Sequence, residues 1–136
     1  MLLATCRQTR AALTISLAIV NVSGVVLLER SHPEFEDAVL RVRLLDVSRL
    51  DAPSVTMTET VVRGVFHRKD EERAVPFFLE TRQVPPAGAD LSVAAHLERV
   101  RTTEPGVVRQ GDLVTTTSTP VPPSGAEGII LRLTQA

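Results

Sequence analysis

Residues Val39–Pro53, VLRVRLLDVSRLDAP, restrict this chain more than any other stretch. Leu40, Val42 and Leu44 alternate with Arg41 and Arg43, the two-residue period of a strand with one face buried. The alternation ends in Asp46-Val47-Ser48-Arg49-Leu50-Asp51-Ala52-Pro53, where short oxygen-bearing side chains and a proline favour a turn. Ser48 has no nucleophile-elbow glycines around it, so its expected role is a side-chain bond to the turn backbone beside Asp46.

The same grammar recurs along the chain. Val20–Glu29 reads as a strand broken by Ser31-His32-Pro33. Val55–Val62 is β-branched and alternating, with Gly64 and the charged run His67–Arg73 expected to interrupt it. Ala74–Glu80 places Val75, Phe77 and Leu79 on one face. Pro76 cannot donate a ladder hydrogen bond, which marks an edge strand or a bulge. Leu91–Val100 carries helix formers behind a possible Asp90 cap. It also alternates Leu91, Val93, Ala95 and Leu97 with Ser92, Ala94, His96 and Glu98, and its strand neighbours favour the strand. Leu113–Thr119 is a threonine-rich strand, Pro120–Gly125 a rigid loop, and Ile129, Leu131 and Leu133 bury the last strand. About seven strands predict an all-β fold, a single antiparallel β-sandwich of immunoglobulin or transthyretin type. The expected organisation is a tail over residues 1–12 and one sandwich domain over 13–136, and 136 residues suffice for a real core.

The N-terminus supports three readings. Leu13, Ile15, Leu17 and Ile19 alternate as a strand whose phase flips at Val20, which predicts a bulge or kink near Asn21. Arg7 and Arg10 before Ala11–Val20 imitate a secretory signal. Leu3-Ala4-Thr5-Cys6 resembles the end of a lipoprotein signal, with Cys6 as the lipid-anchored residue.

Composition removes several function classes. Fifteen basic and sixteen acidic residues give a net charge of −1, without the basic excess that nucleic acid or an anionic membrane attracts. Four phenylalanines are the only aromatics, too few for a base-stacking or sugar-binding platform. The single cysteine excludes an internal disulfide and a cysteine cluster. No phosphate loop or His-Glu-x-x-His helix occurs, and no cofactor or metal is expected. His32, His67 and His96 are scattered. His96 falls on the polar face of its strand with Glu98 and is expected to face solvent. A site joining His96 to Asp112 or Glu98 would make a hydrolase or metal reading arguable. Asp46, Asp51 and Asp112 could offer oxygens to calcium, but without the Asp-x-Asp-x-Asp loop.

The chain resembles the YbaY-type lipoproteins, related to the YscW-type pilotins of type III secretion. The resemblance rests on Val22-Ser23-Gly24-Val25-Val26, on Leu44-Leu45-Asp46-Val47-Ser48 with Asp51-Ala52-Pro53, and on Val75-Pro76-Phe77-Phe78-Leu79. In the last third it rests on Val93-Ala94-Ala95-His96, Gly111-Asp112 and Thr117-Ser118-Thr119-Pro120-Val121. It implies a non-enzymatic β-sandwich in the periplasm or at the outer membrane. The implied partner is a secretin or another envelope protein, with membrane contact only through a lipid anchor. If Met1 is the true start, the alternative is a cytoplasmic interaction domain that forms homo-oligomers. The expected contact is an extended peptide along the edge strand at Pro76 and Phe78. For Phe78 the ordinary outcome is packing beneath the His67–Arg73 loop, and exposure is the functional alternative.

Overall fold

The computed structural model describes residues 20–48, 53–99 and 106–136. Cys6, the strand reading of Leu13–Ile19, the boundary at residue 13 and Asp51 lie outside them. Among the described residues there are nine strands and no helix: β1 (Val20–Leu28), β2 (Phe35–Asp46), β3 (Val55–His67), β4 (Arg73–Thr81), β5 (Leu91–Glu98), β6 (Leu113–Val114), β7 (Pro120–Val121), β8 (Ala126–Arg132) and β9 (Thr134–Gln135). Sheet one runs β9-β6-β5-β2-β3, with β7 also pairing β5; sheet two runs β4-β1-β8. The two pack into the expected all-β sandwich.

Alternation decides which side chains meet between the sheets. Leu40, Val42 and Leu44 of β2 and Leu91, Val93, Ala95 and Leu97 of β5 face Val22, Val26 and Leu28 of β1 and Val75, Phe77 and Leu79 of β4 in one continuous core. Burying each of the valine, leucine and phenylalanine side chains contributes about 1.5–3 kcal/mol. The helix-or-strand conflict in Leu91–Val100 resolves as strand, because β5 lies between β2 and the pair β6 and β7.

Several expected breaks are bulges. β3 does not stop at Gly64. Between the pairs Leu40–Val62 and Ala38–Val65 it carries one extra residue, and Gly64 takes a φ of 66° there, a conformation open to glycine without penalty. β1 pairs β4 in unbroken register from Val20 onward, whereas against β1 the strand β8 has an extra residue between Ala126 and Ile129; the phase change expected before Val20 lies outside the described residues. The β1–β8 pair is parallel, the departure from an all-antiparallel sandwich. Leu113–Thr119 keeps strand pairing only over β6. Beyond β6 it loses the ladder but stays bonded to β5 through Thr115, Ser118 and Thr119, and it pairs again at Pro120–Val121, a strand where a rigid loop is expected.

Candidate binding surfaces

The turn after β2 forms as its residues dictate. Ser48 donates its backbone N–H to Asp46 Oδ1 at 3.0 Å and its hydroxyl to the same oxygen, and it accepts the Asp90 N–H at 2.9 Å. Ser48 therefore ties the end of β2 to the start of β5, a structural task.

Sheet two presents the first surface. Among the described residues β4 has a neighbour on one side only, which is why Pro76 is tolerated within it. Pro76 stands beside Val25, and Val25 beside Ile130, in one row across the outer face; Phe78 stands beside Ser23 and Ala74 beside Leu27. Phe78 is 54% exposed and Ile130 59% exposed. Phe78 does not pack beneath the His67–Arg73 loop. Phe66 is the ring beside that loop, itself 40% exposed, with the Arg73 guanidinium 4.1 Å and that of Arg68 5.5 Å from its centre. Phe78 points outward because the in-register β1–β4 pair puts Phe77 inward. The rim is charged, with Glu80 at one end and the Arg132–Glu29 pair, 3.6 Å apart, near the other.

The second surface is the outer face of sheet one. Arg41 stands beside His96 and Arg43 beside Ala94, and on the other side Arg41 meets Val61 and Arg43 meets Glu59. Arg41 Nε donates to Glu98 at 2.8 Å, and its Nη1 lies 3.6 Å from Glu59. Arg43 Nε donates to the other Glu59 oxygen at 2.7 Å. The expectation that His96 and Glu98 face solvent is overturned, since both are buried. The segment 106–112 folds back over this end of β5 and covers them. The Gly106 N–H donates to Glu98 at 3.0 Å, and His96 Nε2 lies 2.8 Å from Asp112 Oδ2. Burial raises the Glu98 pKa, but the Arg41 hydrogen bond, the Gly106 N–H and the charges of Arg41 and His96 outweigh it. They hold the carboxyl below its ordinary 4.5.

His96 and Asp112 are thus brought together, whereas Asp46 sits beside Leu91 at the far end of β5. Asp112 is occupied structurally, accepting the N–H groups of Arg99 and Arg109 at 3.3 and 3.0 Å. Among the described residues no three His, Cys, Asp or Glu side chains converge as metal ligands. His32 accepts the Glu29 N–H at Nδ1, which leaves Nε2 to donate to the Leu133 carbonyl at 3.0 Å. His67 sits in the core between the carbonyls of Pro33 and Glu71. Val25, Leu27 and Ile130 are the surface residues that sequence reasoning missed. Their signal was the phase of β1 and β8, legible only with the pairing of those strands in hand.

No protein-family model and no curated protein sequence matches the chain. Its fold is similar to that of an alternative pilotin from the type II secretion system of Vibrio cholerae, with a TM-score of 0.59 and 23% identity, covering 87% of this chain and 99% of that one.

Proposed function

We propose that this chain is a non-enzymatic β-sandwich of the bacterial envelope that binds a protein segment in a pilotin-like, assembly-promoting role. The observation that carries the reading is the apolar row Pro76–Val25–Ile130 with Phe78 beside it on sheet two, in which Pro76, Phe78 and Ile130 are exposed and Val25 is half-buried between them. Contiguous exposed apolar residues inside a charged rim are the usual mark of a protein contact. Proline on the edge of β4 that no described strand pairs limits how far a guest strand pairs along it. Recognition therefore rests on side chains laid across the face, with Phe78 and Ile130 as anchors. The similarity in fold to a secretion pilotin supports a secretin, or another outer-membrane component, as the partner.

The test is genetic and biochemical. In the native host, loss of the chain is expected to reduce detergent-resistant secretin multimers in the outer membrane. Wild-type protein restores them, and a soluble, folded Phe78→Asp/Ile130→Asp variant does not. Secretin assembly that is indifferent to the deletion rejects the partner. Full rescue by the double variant rejects the face. Sedimentation of the purified chain checks the alternative, an interaction domain that buries this face against a second copy. A dimer that the same double substitution dissociates would establish it.

A further inference from the structure

Sheet one carries an opening of about 310 Å³ on its outer face, opposite the proposed protein contact. That volume lies at the small end of the range for ligand sites. Leu45 and Ala94 contribute from the sheet, and Val108 and Val114 close it with apolar surface. Arg41, Arg43 and His96 supply its polar wall.

The two arginines are held differently. Arg41 is fixed between Glu59 and Glu98, and its side chain is 13% exposed. Arg43 spends only Nε on Glu59, and no protein acceptor meets its Nη1 or Nη2 among the described residues. A Cβ on residue 106 would stand 3.0 Å from Arg43 Nη2, so Gly106 leaves room for the fork at the pocket. The buried ring of His96 has its Nε2 on Asp112, and its Nδ1 finds no hydrogen-bond partner among the described residues. A buried polar atom left unpaired in a pocket wall is unusual and marks the wall as incomplete.

We propose that this pocket binds a small carboxylate bearing a short apolar chain. The tail lies on Leu45, Ala94, Val108 and Val114, and the carboxylate takes the bidentate Nη edge of Arg43. Arg41 and Arg43 are balanced by Glu59 and Glu98, so the pocket is no general anion trap. Apolar contact supplies affinity and the guanidinium selects the acid. Two sources share this chemistry: a free short-chain acid, and the C-terminal residue of a peptide ending in an aliphatic side chain.

The experiment is a titration of isotopically labelled protein followed by NMR at the Ala94, Val108 and Val114 methyls and the Arg43 Nε–H. The probes are hexanoate, N-acetyl-leucine, N-acetyl-leucinamide and inorganic phosphate. At least one acid is expected to saturate with a Kd on the order of 1 mM, in keeping with about ten heavy atoms of modest efficiency. The amide and phosphate should bind at least about fivefold more weakly, because each lacks one half of the recognition. Tighter binding of hexanoate indicates a free acid, and tighter binding of N-acetyl-leucine a chain terminus. Arg43→Gln should weaken the acids to the level of the amide. Val108→Asp, on an exposed loop where folding is not at stake, should repel both acids. Failure of both acids to saturate by about 20 mM, equal affinity for acid and amide, or undiminished binding in Val108→Asp overturns the proposal.

Discussion

Glu98 shows how one side chain acquires a measurable role from its surroundings. Its carboxyl is held below the ordinary 4.5 by Arg41, the Gly106 N–H and the charge of His96, against the effect of burial. The folded chain therefore binds this proton less tightly than the unfolded chain. The stability it contributes is present in full above the unfolded value and is lost as pH falls through the lower folded value. Glu98→Gln should be less stable than wild type near neutral pH. Its stability should also fall less steeply between about pH 5 and pH 3, as read from urea midpoints across that range. Equal slopes for the two proteins would remove Glu98 from the acid response. Gly24 makes a purely steric case. A Cβ there would stand 2.0 Å from the Ile129 carbonyl oxygen on the neighbouring strand. Gly24→Ala must push β8 from β1 and is expected to cost about 3 kcal/mol or more, whereas Ser23→Ala, one residue away, should be close to neutral. The two midpoints separate close approach from glycine's backbone freedom.

At the scale of elements, local pattern was a good guide wherever the partner of a strand did not matter. The alternation of β2, the Asp46–Ser48 turn and the edge character of β4 were all readable, because each depends on neighbours in sequence. His96 and Glu98 were misread for the opposite reason. Their polar face is covered by residues 106–112, and nothing within β5 announces that a distant loop will return over it. That Phe66 rather than Phe78 stands beside the loop's arginines has the same origin, because the Gly64 bulge lets β3 run on to bring Phe66 there. The returning loop hangs on Asp112, which accepts the Arg99 and Arg109 N–H groups and pairs with His96. Asp112→Ala should therefore release a segment rather than unfold a sheet, at a cost of about 1–3 kcal/mol for the buried partners left unpaired. Amide hydrogen exchange should accelerate at Arg99, Arg109 and Gly106 and stay slow in β1 and β4. Uniform acceleration over both sheets would mean that the loop is part of the core.

For the whole molecule, the consequential pairing is the parallel one between β1 and β8, which joins the start of the sandwich to nearly its end. Among the described residues sheet two has three strands, and β8 is one of its two edges. Beyond it, β9 returns to sheet one and pairs with β6. Residues 126–136 thus belong to both sheets, and Leu131 and Leu133 carry them into the shared core. Neither sheet has a core of its own, since the inward residues of both belong to one continuous cluster. Unfolding should then be a single transition. The chain has no Trp or Tyr, so far-UV circular dichroism and resolved methyl resonances are the probes to compare. Leu40→Ala in sheet one should lower the midpoint by the cost of a core cavity, about 2–5 kcal/mol, and Val26→Ala in sheet two by somewhat less. In each variant methyls from both sheets should melt together. Truncation after Gly125 goes further. It strips β1 of its parallel neighbour, takes Leu131 and Leu133 from the core and leaves a hydrophobic edge unpaired, so the shortened chain should be unfolded or aggregated. A truncated chain that keeps native methyl dispersion in sheet one would show that sheet one folds alone and that the parallel closure is an addition to a smaller unit.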